Sequence, residues 1–143
     1  MRYVDCFRRL AARRGDQWVV TSAGNSGQAW WAATRDSERT FYLDASMSLS
    51  TMFASGLALA QPKQRFWAFM GDGAFCMNPG MLMVERAMNL PNLVHFLVSN
   101  RAYGATSNAR LGCNGTVMLT AASWGPKLKP ASAATESKIS ARA

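Results

Sequence analysis

Apolar residues follow three kinds of pattern along this chain, and each predicts a different element. In residues 2–14, Tyr3, Phe7 and Leu10 recur three or four apart among Arg2, Arg8, Arg9, Arg13 and Arg14, which predicts an amphipathic helix stopped at Gly15-Asp16. Short apolar runs bounded by turn residues predict buried strands at 17–21, 65–70 and 93–98, with 40–43 as a weaker candidate. From Ser46 to Ala60 the chain is rich in Ser, Ala and Gly and is closed by Pro62, so it predicts a helix able to approach a sheet or ligand closely. Asn78 suits a helix N-cap with Pro79 in the first helical position, ahead of a helix over 81–88 that Leu90-Pro91-Asn92 breaks. Residues 22–27 read as a turn-rich loop leading into a polar stretch. Beyond Gly104 the pattern decays, and 125–143, dominated by Lys, Pro, Ala and Ser, reads as a flexible tail behind a domain of residues 1–124.

Strand, helix and strand over 65–98 make a βαβ unit, whose strands are expected to be parallel neighbours. Their C-terminal ends then share one edge, about 4.8 Å apart, with Asp72 after the first and Asn100 after the second. A carboxylate and an amide oxygen are hard donors, suited to magnesium or calcium. Magnesium completes its shell with water and substrate phosphates, and Gly71 and Gly73 beside Asp72 allow phosphate oxygens to come close. The constellation points to a magnesium-bridged diphosphate. The strand at 17–21 also ends in a Gly-containing loop, at Gly24-Asn25, which is where α/β proteins put ligands.

Charge changes the picture less than its total suggests. The chain has 143 residues and a formal net charge of +8, a value that invites a nucleic-acid reading. Sorted by position, residues 1–14 carry five Arg against one Asp, 125–143 carry four basic residues against one Glu, and 15–124 carry seven against six. The middle lacks a basic face interleaved with aromatics, so no nucleic-acid partner is expected. No apolar run reaches the roughly 18 residues of a membrane span, and no membrane partner is expected either. Cys6, Cys76 and Cys113 are far apart and His95 is the only histidine, a usage expected of buried thiols in a cytoplasmic protein without a zinc site.

Two common phosphate motifs are absent: position 76, where the dinucleotide fingerprint needs its third glycine, is Cys76, and no G-x-x-x-x-G-K-[ST] occurs. Gly71-Asp72-Gly73, 26 intervening residues and then Asn100 instead resemble the magnesium and cofactor motif of thiamine diphosphate enzymes, in the domain that binds the diphosphate. Ala45-Ser46-Met47-Ser48 and the small-residue helix after it resemble the family's segment beneath the cofactor rings. Met77-Asn78-Pro79-Gly80 and Asn100 to Thr106 are most similar to the sulfopyruvate and phosphonopyruvate decarboxylase branch.

This resemblance implies a three-layer α/β/α fold with a mostly parallel sheet, shortened at its C-terminal end. It implies that Asp72 and Asn100 hold magnesium through side chains and Ala102 through its carbonyl. Gly24, Asn25, Gly71, Gly73 and Ala74 would face the diphosphate, and Ala45, Ser46 and Met47 the rings, with Met47 wedging the cofactor into its bent form. Tyr103 would border the site. The implied cofactors are thiamine diphosphate and Mg2+, and the implied substrate is a small 2-oxo acid. Ser99 stands where the family usually has an asparagine, while Ala45 and Ser48 stand where glycines are usual. Gly27-Gln28-Ala29 departs from the Ser-Arg-Glu stretch typical of the decarboxylase branch.

The family's activating glutamate lies on a pyrimidine-binding domain, so a partner subunit carrying that domain is expected, in a hetero-oligomer inactive without it. Glu85 is expected to be a solvated helix charge, His95 a packing residue, and Trp30, Trp31 and Trp67 core or interface aromatics. The competing expectation is a non-catalytic cofactor-binding or subunit-interaction module, motivated by the basic tail standing in place of a further strand and helix.

Overall fold

The computed structural model describes residues 3–111 and 119–122. Cys113 and the expected tail at 125–143 lie outside them. The element order is α1 (Tyr3–Ala11), β1 (Trp18–Ser22), α2 (Asn25–Thr34), β2 (Thr40–Leu43), α3 (Ser50–Ala60), β3 (Phe66–Gly71), α4 (Asp72–Met77), α5 (Met81–Met88), β4 (Leu93–Val98) and β5 (Leu119–Ala122). The strands form one sheet in the order β2-β1-β3-β4-β5. The first four are mutually parallel and β5 runs antiparallel to β4. This is the α/β architecture with helices on both faces that the resemblance implied.

Side-chain alternation along the strands divides the core in two. Val19, Phe69, Phe96 and Val98 point to one face and pack with Phe7 of α1 and Ala29 and Trp30 of α2. Val20, Phe66, Ala68 and Leu93 point to the other and pack with Ala54 and Ala58 of α3 and with Leu90. The expected parallel pairing of β3 and β4 is present, with Gly71 opposite Val98, so Asp72 and Ser99 leave the sheet side by side.

Several expectations are corrected. Helix α2 occupies what read as a loop and polar stretch: Gly24 takes φ +103°, open to glycine, and the helix starts at once. Gly27 lets α2 lie against β1, because a Cβ there would stand 3.1 Å from Thr21 Oγ1. Asp72 is in no free turn but opens α4 directly after β3. Asn78 caps the end of α4, and α5 begins two residues beyond Pro79 with Gly80 preceding it. Strand β5 forms where no element was expected, its four residues held by pairing along β4 from His95–Ala122 to Val98–Leu119.

The largest correction is Glu85. It lies fully buried in α5, not solvated, because its side chain faces the sheet and approaches His95 Nδ1 at 3.4 Å. His95 is buried within the core, as expected. Trp30 is a core residue; its indole donates to Thr40 Oγ1, which donates to Asp36, which also takes Arg14, tying α1, α2 and β2 together. Trp67 packs edge-on against Phe69 and Phe96, while Trp31 is exposed. Cys6 is buried as expected, but Cys76, near the end of the short α4, is exposed.

Candidate functional site

One cleft gathers the C-terminal ends of three parallel strands. Beyond β1 the chain contributes Ala23, Gly24, Asn25 and Ser26; beyond β3, Asp72, Gly73 and Ala74 after the terminal Gly71; beyond β4, Asn100 and the loop 102–106. Met47 closes the side below α3. The cleft is open to solvent. Parallel strands place their C-terminal ends on one edge, so residues far apart in sequence converge there without further adjustment.

Asp72 is the best-held side chain in it. The residue is 7 % exposed. Its Oδ1 accepts the Gly73 N–H at 2.9 Å, and its Oδ2 accepts the Ser99 hydroxyl and the Arg101 N–H, each at 2.6 Å. Arg101 takes φ +62°, a left-handed turn immediately after Asn100. Three donors converge on the carboxylate, from α4 and from the chain leaving β4, so its orientation is determined by both.

The loop after β4 closes on itself. Ala102 bridges to Arg110, Tyr103 N–H donates to Ala109 O at 2.9 Å, and Asn100 Oδ1 accepts the Ala102 N–H at 3.1 Å. Two glycines permit its close approach. A Cβ on Gly104 would stand 2.6 Å from Asn25 Nδ2 and 2.9 Å from Asn100 Nδ2, so only glycine lets both amides meet there. A Cβ on Gly73 would stand 2.7 Å from Tyr103 Cδ1, so the tyrosine ring lies directly on the first turn of α4.

Of the residues singled out from sequence, Gly24, Asn25, Met47, Gly71, Asp72, Gly73, Ala74, Asn100, Ala102 and Tyr103 line this cleft. Ala45 and Ser46 do not; Ala45 is exposed in the turn after β2 and Ser46 is half-buried. Ala23, Ser26, Gly104, Ala105 and Thr106 also line it without having been singled out. Their signal was present, since each flanks a strand end already assigned to the ligand edge. Ser99 is the more instructive omission: it read as a mere neighbour of Asn100, yet it holds Asp72.

The donor set suits a hard divalent cation. It combines a carboxylate, an amide oxygen and main-chain carbonyls, all oxygen, with no thiolate or imidazole among the lining residues. The space kept free by Gly73 and Gly104, and the adjacent Gly24-Asn25 loop, provide backbone that a polyanion can approach. Such a site would hold a phosphorylated cofactor through a metal rather than through basic side chains.

Fold and cleft together define an α/β domain with an open cleft at the carboxyl edge of a parallel sheet. Residues 22–140 match the family described as thiamine pyrophosphate enzyme, C-terminal TPP binding domain. The chain belongs to that family. It is 31 % identical over 105 residues to the sulfopyruvate decarboxylase subunit beta of Methanothermobacter thermautotrophicus, covering 73 % of this chain and 56 % of that protein. It is 37 % identical over 105 residues to the sulfopyruvate decarboxylase of Methanosarcina acetivorans, covering 73 % of this chain and 26 % of the relative. The chain thus spans about half the length of the beta subunits it resembles, or less of longer relatives. A Mycobacterium smegmatis protein assigned as thiamin diphosphate-dependent shares the fold with a TM-score of 0.65 at 17 % identity, over 80 % of this chain and 24 % of that one. Among the described residues, no helix is long and apolar enough to cross a membrane.

Proposed function

We propose that this chain is the diphosphate- and magnesium-binding component of a cytoplasmic thiamine diphosphate-dependent decarboxylase acting on a small 2-oxo acid of the sulfopyruvate or phosphonopyruvate kind. The observation that carries this reading is the convergence of Asp72, Asn100 and Ala102 with the Gly24-Asn25 loop in one cleft at the sheet edge. Resemblance to sulfopyruvate decarboxylase subunits supports the substrate class.

In this reading Asp72, Asn100 and the Ala102 carbonyl hold Mg2+, and the main chain around Gly24, Asn25, Gly73 and Ala74 faces the diphosphate. Met47, a bulky apolar side chain lining the cleft, would face the rings. Bound there, the cofactor supplies the electron sink that makes loss of carbon dioxide from a 2-oxo acid feasible. The protein's part is position: three strand ends hold the donors at one edge, and Tyr103 and the loop 102–106 line one side. None of the lining residues carries a second carboxylate beside Asp72. In this reading the acid that activates the pyrimidine ring comes from a pyrimidine-binding partner domain.

Calorimetric titration of thiamine diphosphate with magnesium tests this, on wild type and Asp72→Ala, alone and with the partner chain. Magnesium-dependent binding that Asp72→Ala abolishes is expected. Its absence from wild type under both conditions would refute the reading.

A further inference from the structure

We propose that Ser99 is a positioning residue that restricts Asp72 to one-oxygen metal ligation and so selects magnesium over calcium. This inference rests on the functional reading above. Its basis is an acceptor count. A carboxylate offers about four lone-pair directions, two on each oxygen. Asp72 Oδ2 accepts both the Ser99 hydroxyl and the Arg101 N–H at 2.6 Å, which fills it. Oδ1 accepts one donor, the Gly73 N–H at 2.9 Å, and keeps one direction open.

Two of these donors are main-chain groups set by the fold, one in α4 and one on the left-handed Arg101. Only the third depends on a side chain. The register of β3 with β4, ending at Gly71 opposite Val98, puts Ser99 beside Asp72, where one carbon suffices to bring a hydroxyl to Oδ2. The 2.6 Å separation is that of a charge-assisted O–H···O bond. Alanine cannot make this bond, while threonine can.

The consequence for metal choice follows from coordination preference. Magnesium demands a compact octahedron, which a carboxylate bound through one oxygen fits; calcium takes six to eight oxygens and readily accepts a carboxylate through both. Filling Oδ2 with two donors therefore favours the smaller ion. Removing the Ser99 hydroxyl reopens a direction on Oδ2 and frees the carboxylate to turn.

The test is competitive calorimetric titration of Mg2+ and Ca2+ in the presence of thiamine diphosphate, on wild type, Ser99→Ala and Ser99→Thr, with thermal unfolding of each variant confirming that it is folded. In Ser99→Ala, magnesium affinity is expected to fall about tenfold, the lower end for loss of a group supporting a metal ligand. Calcium affinity is expected to fall less or rise, so the magnesium-to-calcium ratio drops, and Ser99→Thr restores it. An unchanged ratio in Ser99→Ala, or equal losses for both ions, overturns the inference while leaving the functional reading intact. A threonine variant that behaves like the alanine variant also overturns it. Wild type that binds neither ion with the cofactor, alone and with the partner chain, overturns both.

Discussion

The buried pair Glu85 and His95 gives the sharpest test of how this core is held together. Glu85 is 0 % and His95 3 % exposed, and among the described residues neither carboxylate oxygen nor His95 Nε2 has a hydrogen-bond partner. Their single mutual contact is 3.4 Å. Were both groups charged, at an effective dielectric of 20 they would attract by about 5 kcal/mol, whereas removing each from water costs several kcal/mol. The pair therefore contributes little net stability, but each partner is costly to leave alone. His95→Leu strands a buried carboxylate and is expected to cost about 3–5 kcal/mol. Glu85→Leu leaves the His95 imidazole buried without its polar neighbour and is expected to cost about 1–3 kcal/mol. The double variant fills the same space between α5 and β4 with apolar atoms and is expected to fall within about 1 kcal/mol of wild type, or above it. Urea unfolding of all four proteins, with m-values compared, yields the coupling energy, expected to be at least about 3 kcal/mol. Additive single and double losses would show that the two residues are not coupled and would refute the reasoning.

Other outcomes follow from particular positions. Ser48 is buried at φ +76°, and its N–H donates to Ser22 Oγ, a bond that glycine keeps. Relief of left-handed strain, about 1–2 kcal/mol, exceeds the added unfolded-state freedom of glycine, so Ser48→Gly should stabilise by about 0.5–1 kcal/mol in urea unfolding. Burial would raise the Asp36 carboxyl, but the Thr40 hydroxyl, the Arg14 guanidinium and the Arg39 and Glu38 N–H groups outweigh it and hold the pKa near about 2. Stability from a depressed carboxyl is present above its unfolded value and lost as pH falls through the folded one. Asp36→Asn should therefore cost roughly 1 kcal/mol at neutral pH, a deficit that vanishes between about pH 4 and pH 2 in acid unfolding. Gly104→Ala should weaken magnesium-dependent thiamine diphosphate binding about tenfold in calorimetry by displacing Asn25 and Asn100. Gly56→Ala, whose Cβ meets nothing within 4 Å on α3, should instead raise stability by about 0.5–1 kcal/mol.

What the sequence determined by itself is the part governed by local pattern and by spacing along one βαβ unit. Strands 66–71 and 93–98 are apolar runs between turn residues, and parallel neighbours must end on one edge, so Asp72 and Asn100 were legible as a pair. The family motif added Met47, Ala102 and the Gly24-Asn25 loop, and all of them line the cleft. Tertiary structure alone decided what depends on contacts between distant segments. Helix α2 has weak apolar periodicity and begins after a glycine at φ +103°, so only its packing against β1 and α1 makes it a helix. Strand β5 is four residues of modest strand propensity, present because β4 offers a free edge. Glu85 carries a charge that sequence assigns to solvent, and only the inward turn of α5 onto His95 places it in the core. Ser99 looked like the neighbour of a ligand until strand register set its hydroxyl on Asp72. Periodicity reports which face of an element is apolar; it carries no information about which polar side chain meets which across elements, because that is set by register and packing.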